Sequence, residues 1–229
     1  MPTYVLIHGA GDVAWYWHLV EAELLARGHD VVAVDLPADD DSAGLSEYAD
    51  TVVDAIGDRT DLVVVGQSLG GFTAALVCDR VPVDLLVLVA AMVPSPRETG
   101  MDWWANTGHD EAAAEVLDHG DGDIATFLHD VPPKLAAEAL ARGRNQSTTP
   151  MHEPWPLDAW PDVPTRYLLC RDDRFFPAQW TRRMVQQRLG ITPDEIDSGH
   201  TPALSRPKEL ADRLDAYASE LVDEARAAP

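Results

Sequence analysis

The 229-residue chain carries 17 Lys plus Arg against 39 Asp plus Glu, a formal net charge of −22, with 46% hydrophobic and 24% charged residues. That length suits one well-cored domain rather than two. The acidity opposes phosphate backbones and anionic bilayers, so neither nucleic acid nor a membrane is an expected partner.

The N-terminus, Met-Pro-Thr-Tyr-Val-Leu-Ile, lacks the basic region and long apolar core of a secretory leader, and no apolar run reaches membrane-spanning length. A cytoplasmic location is the resulting expectation. Cys78 and Cys170 fall within apolar elements and are expected as buried free thiols.

Read along the chain, Tyr4–Ile7 is a short apolar strand and Trp15 to Arg27 a helix that stops at Gly28. Val31–Val34 is the next strand, followed by a helix over Leu45–Ile56. Leu62–Val65 and Leu85–Val89 are further strands, with a helix from Phe72 to Val81 between them. Continuous Val/Leu runs, rather than alternation, predict strands buried on both faces of a parallel sheet. The rhythm breaks from Pro94 to about Pro164, where prolines, glycines and tryptophans surround helical patches at Glu111 to Leu117 and Lys134 to Arg142. It resumes with a strand at Arg166–Cys170, a helix over Pro177–Leu189, a weak strand near Glu195–Asp197 and a last helix from Pro207 to about Ala225. The expected fold class is therefore α/β: about six mostly parallel strands with helices on both faces. One domain is expected, with its core at 1–93 and 164–229 and a helical cap inserted at about 94–163.

Gly66-Gln67-Ser68-Leu69-Gly70-Gly71 lies between an apolar strand and a helix. That is the setting of a G-x-S-x-G nucleophile elbow, whose glycines allow a tight turn that lifts the serine above the sheet. A serine hydroxyl attacks only when a base takes its proton and a carboxylate orients that base. In this arrangement the acid and then the base follow the serine along the chain. Asp172 and Asp173 follow the strand ending at Cys170, and His200 follows the last strand. All of them fall in loops at carboxyl ends of strands, where α/β sheets place their sites. The developing oxyanion needs two backbone N–H donors. Leu69, next to the nucleophile, and Ala10, in the turn His8-Gly9-Ala10-Gly11, are the expected pair.

These segments resemble the α/β-hydrolase superfamily over nearly the whole chain, and within it the branch of hydroxynitrile lyases and plant methylesterases. The resemblance is carried by His8-Gly9-Ala10-Gly11 with Trp15-Tyr16-Trp17, by the elbow, by Cys170-Arg171-Asp172-Asp173 with Phe176-Pro177, and by Gly199-His200-Thr201-Pro202 leading to Leu204-Ser205-Arg206-Pro207. It implies a Ser68–Asp173–His200 triad without metal or organic cofactor, acting on a small-molecule ester through an acyl-enzyme. Apart from the resemblance, Gly9, Trp103 and Trp104 are expected at the substrate pocket, the insertion's tryptophans otherwise serving as cap core. A lactone or thioester would use the same groups. Lyases of this branch carry threonine after the first-strand histidine and lysine after the catalytic histidine; Gly9 and Thr201 stand there instead.

Besides this lyase reading, two others compete. Gly9-Ala10-Gly11-Asp12-Val13-Ala14 fits a dinucleotide-binding turn with Asp35 as a ribose-binding acid, but no tyrosine has a lysine four residues on, as a nicotinamide-dependent short-chain reductase would require. A non-catalytic binding protein on the same scaffold is the other. His109, His119, His129 and His152 lack metal-ligand spacing and are expected as exposed or hydrogen-bonded histidines. Asp39-Asp40-Asp41 is expected as a solvated loop, and Trp155 and Trp160 as cap core.

Overall fold

The structure, a computed structural model, describes residues 1–114 and 122–227. Residues 115–117 of the expected helix Glu111 to Leu117, and His119, lie outside the described residues.

The amino-terminal half alternates strands and helices in βαβ units: β1 (Thr3–Ile7), α1 (His18–Ala26), β2 (Asp30–Val34), α2 (Leu45–Ile56), β3 (Leu62–Gln67), α3 (Gly70–Arg80) and β4 (Leu85–Val89). A turn of 3₁₀-helix, Ala14–Trp17, leads into α1. Among the described residues five helices follow, α4 (Gly100–Thr107), α5 (His109–Ala114), α6 (Asp123–Phe127), α7 (Pro133–Arg142) and α8 (Thr149–His152). The chain returns to the sheet with β5 (Thr165–Cys170), α9 (Ala178–Leu189), β6 (Asp194–Ile196), α10 (Pro202–Ser205) and α11 (Pro207–Ala227). No described helix is long and apolar enough to cross a membrane.

Among the described residues six strands form one all-parallel sheet in the order β2-β1-β3-β4-β5-β6. Its two faces carry separate apolar cores. One packs Val5, Ile7, Val64 and Leu88 against α2, α3 and α9; the other packs Tyr4, Leu6, Val63 and Val87 against α1 and α11. Strands β1, β3 and β4 are buried at every position, as their continuous apolar runs imply. β2 departs from that expectation. Only Val34 is buried, because β2 lies at the sheet edge with one neighbour and a Val-rich composition cannot reveal that position. Cys170 is buried, whereas Cys78 is only partly so.

The segment after β4 is tied to the core through a buried ion pair. Arg188 of α9 makes two 2.8 Å hydrogen bonds to the Glu98 carboxylate and also donates to the Ser95 hydroxyl. Glu98 accepts further bonds from the Ser95 amide and from Asn106. Removing one member of such a pair strands the other charge away from water. Glu98→Ala is therefore expected to cost about 3–5 kcal/mol in urea unfolding. A loss below about 1 kcal/mol, the range of an exposed pair, would show that the pair is not sealed from solvent.

Candidate active site

The site is built where β1, β3, β5 and β6 end. Parallel register sets Ile7 beside Gly66, which brings the turn after β1 alongside the elbow after β3. Ser68 has φ of 51°, the left-handed region that costs a side-chain-bearing residue about 1–3 kcal/mol. Surrounding bonds hold it there: its amide donates to Val89 O at 3.3 Å, and its carbonyl accepts from Gly71 at 3.1 Å and Met92 at 2.9 Å. The helix starts at Gly70, two residues before the sequence pattern places it. A Cβ at Gly70 would lie 2.6 Å from His8 O, so only glycine permits this approach of helix and strand.

Three side chains form one hydrogen-bonded chain. Ser68 Oγ lies 3.1 Å from His200 Nε2, and His200 Nδ1 lies 2.7 Å from Asp173 Oδ2. All three are buried. The partners fix the tautomer: Nδ1–H donates to the carboxylate and Nε2 accepts from the serine hydroxyl. The other oxygen of Asp173, Oδ1, accepts the amides of Phe175 at 2.8 Å and Phe176 at 2.9 Å. Asp172 is instead exposed, and among the described residues it is engaged through its backbone alone, by Ser198 O and His129 Nε2. The rings of Phe127, Phe175 and Phe176 stand 5.1–5.5 Å from the His200 ring and shield it.

Among the described residues, neither the Ala10 nor the Leu69 amide donates to a protein acceptor. Both residues, with Gly9, Ser68 and His200, line a cavity of about 490 Å³. A Cβ on Gly9 would collide with Gln67 Oε1 and lie 2.8 Å from Ser68 Cβ, so the backbone comes this close to Ser68 only because the residue is glycine. His8, one residue earlier, is buried and neutral: Nδ1–H donates to Gly9 O at 2.8 Å and Nε2 accepts the Leu36 amide at 3.1 Å. Burial pushes its pKa down.

The remaining walls come largely from the segment between β4 and β5, including Trp104, Phe127, Leu140 and Met151. Trp103, expected in the pocket with Trp104, does not line it. Its indole is fully buried, donates to Val93 O at 3.0 Å and packs on Phe176 and Trp180, because successive helical residues face different ways. Trp155 is also fully buried, and Trp160 stacks on it. His109 bonds Phe175 O and His152 bonds Thr148 O. Asp39, Asp40 and Asp41 are exposed.

Several site residues escape sequence reasoning. The turn Phe127–Asp130 clasps both loops that carry Asp173 and His200. His129 Nε2 meets Asp172 O at 3.0 Å, and Asp130 Oδ2 accepts the Gly199 amide at 2.8 Å and the Ser198 hydroxyl at 3.3 Å. Thr201 donates its hydroxyl to Phe127 O at 2.8 Å. Gln67 Nε2 donates to His200 O at 3.2 Å. Asp35, the residue a dinucleotide reading needs free for ribose, accepts the Ala14 amide at 2.6 Å and faces Arg144.

A parallel sheet with a serine elbow, and with a histidine and an acid arriving from later loops, defines an alpha/beta hydrolase. Residues 4–213 match the alpha/beta hydrolase family, and the chain belongs to it. It is 27% identical over 240 residues to Methylesterase 7 of Arabidopsis thaliana, an alignment covering 90% of this chain and 92% of that protein. Identity to Probable esterase PIR7A of Oryza sativa subsp. indica is 29% over 252 residues, with 92% and 94% covered. Among solved structures, that of polyneuridine aldehyde esterase shares the fold with a TM-score of 0.81 at 21% identity, over 95% of this chain and 99% of that one.

Proposed function

We propose that the protein is a serine hydrolase that cleaves a small carboxylic ester through an acyl-enzyme. The observation that carries this reading is the unbroken Ser68–His200–Asp173 hydrogen-bond chain opening into one cavity with two unengaged amides. Ser68 Oγ attacks the carbonyl carbon while His200 Nε2 takes its proton, and Asp173 stabilises the resulting imidazolium. The Ala10 and Leu69 amides hold the oxyanion. The imidazolium returns the proton to the departing alkoxide, and the alcohol leaves. Water, deprotonated by the same histidine, then attacks the acyl-enzyme; the proton returns to Ser68 and the acid is released. Gly9 and Trp104 form part of the substrate walls.

Hydrolysis is preferred to cyanohydrin cleavage because Thr201 supplies no cation for a departing cyanide, and its hydroxyl is committed to Phe127 O. The relatives named methylesterase and esterase point the same way.

The test is a panel of esters, lactones and thioesters, with fluorophosphonate labelling followed by peptide mapping. One covalent adduct at Ser68 and turnover of at least one ester are expected. Absence of both would sink the reading, and tight binding of a nicotinamide cofactor without labelling would replace it.

Asp130 acts in this scheme as a positioning residue for the His200 loop. Asp130→Ala is expected to lower kcat about tenfold or more with KM within about threefold, and Asp130→Asn, which keeps an acceptor for the Gly199 amide, should recover most of the loss. An unchanged kcat in the alanine variant would remove Asp130 from the mechanism.

A further inference from the structure

Asp12 stands out among the polar side chains of the cavity wall. Gln146 is consumed: its Oε1 accepts the Gly11 amide at 3.0 Å, and its Nε2 donates to Tyr48 Oη and Ser147 O. The Thr201 hydroxyl is engaged with Phe127 O, and Gln67 Nε2 with His200 O. Arg144 faces Asp35 at 3.6 Å, and Asp123 sits exposed at the start of α6. Asp12 is different. It is partly buried, lines the cavity with Ser68 and His200, and among the described residues its one hydrogen bond is a long one, 3.3 Å, from the adjacent Val13 amide. Among the described residues it forms no ion pair with Lys, Arg or His. Apolar groups, Met92, Trp104, Leu128, Leu140 and Phe175 among them, make up much of the remaining wall.

A carboxylate facing such a wall without a countercharge is a recognition element in want of a cation. We propose that Asp12 selects esters that carry a protonated amine, the ammonium pairing with its carboxylate while the ester carbonyl lies at Ser68. This rests on the hydrolase reading above and names its substrate class. Burial pushes the Asp12 carboxyl up to about 7, opposed mainly by the hydrogen bond from the Val13 amide, as suits a carboxyl for which the protein supplies no countercharge. The net charge of −22 draws cations toward the whole molecule. The comparison that isolates Asp12 therefore keeps that field almost unchanged.

Two matched pairs of esters serve as probes. The first is 2-(dimethylamino)ethyl acetate against its uncharged isostere 3-methylbutyl acetate, with the charge on the alcohol side. The second is methyl 4-(dimethylamino)butanoate against methyl 5-methylhexanoate, with the charge on the acyl side. Binding is measured calorimetrically on Ser68→Ala protein, which does not depend on turnover, and kcat/KM is measured on the wild type. In at least one pair the cationic member is expected to bind about tenfold tighter or better, the equivalent of one modest ion pair. Asp12→Asn should reduce that ratio to within about twofold. Equal affinity within both pairs, or a preference that survives Asp12→Asn with an unshifted melting temperature, overturns the assignment. Selective binding without hydrolysis by the wild type would instead overturn the esterase reading and leave Asp12 as the cation site.

Discussion

Ser68→Ala is expected to lower kcat on a short p-nitrophenyl ester by about 10⁴-fold or more, leaving only the contribution of the oxyanion amides and substrate binding. KM should change little, because the hydroxyl forms its bond only as the reaction proceeds. The variant should also fail to take up a fluorophosphonate label. Its fold should survive: the backbone bonds from Val89, Gly71 and Met92 that hold residue 68 do not involve the side chain. Turnover within about tenfold of wild type, in a variant that melts normally, would mean that another group attacks.

Asp173→Asn should be nearly as damaging, about 10³–10⁴-fold in kcat, whereas Asp172→Asn should stay within about threefold. The reason lies in the two oxygens of Asp173. Oδ1 accepts the amides of Phe175 and Phe176, so an asparagine at 173 must place its carbonyl oxygen there. Its NH₂ group then faces His200 Nδ1, where Oδ2 now sits at 2.7 Å. Donation from that NH₂ forces the imidazole proton onto Nε2, leaving no lone pair to receive the Ser68 proton. Asp172 makes its structural bonds with its backbone, which an asparagine preserves. A side-by-side rate comparison on one ester decides between them, and the opposite ranking would move the acid to Asp172.

The parts of this site that were legible in the sequence are those with local signals. A strand, a glycine-bounded serine and a helix occupy fewer than twenty consecutive residues, and the Ser, Asp, His order follows from the strand order. The all-apolar runs of β1, β3 and β4 report directly on double-sided burial. What escaped was set by long-range contact. Val31-Val32-Ala33-Val34 has the composition of a central strand, yet β2 is an edge, and nothing within those residues encodes how many neighbours they have. Trp103 and Trp104 are adjacent in the chain but one helix step of about 100° sends the first against Phe176 and Trp180 and the second into the cavity. Asp130 meets Gly199 across 69 residues with no periodicity to announce it. Asp12 was hidden by a stronger pattern, since its glycine-rich turn mimics a dinucleotide-binding motif.

The tight fit around Gly9 bears on how enzymes of this lineage diverge. A β-carbon there collides with Gln67 and presses on Ser68, and a lysine in place of Thr201 gives up the strap to Phe127. On the proposed mechanism, each change taken alone is expected to slow ester hydrolysis. A trajectory from this active site to a cyanohydrin-cleaving one therefore passes through poorly functioning ancestors, unless repacking around Gln67 and the Phe127 turn comes first. In laboratory evolution, libraries that couple positions 9, 67, 127 and 201 should reach that chemistry where the double substitution at 9 and 201 stalls.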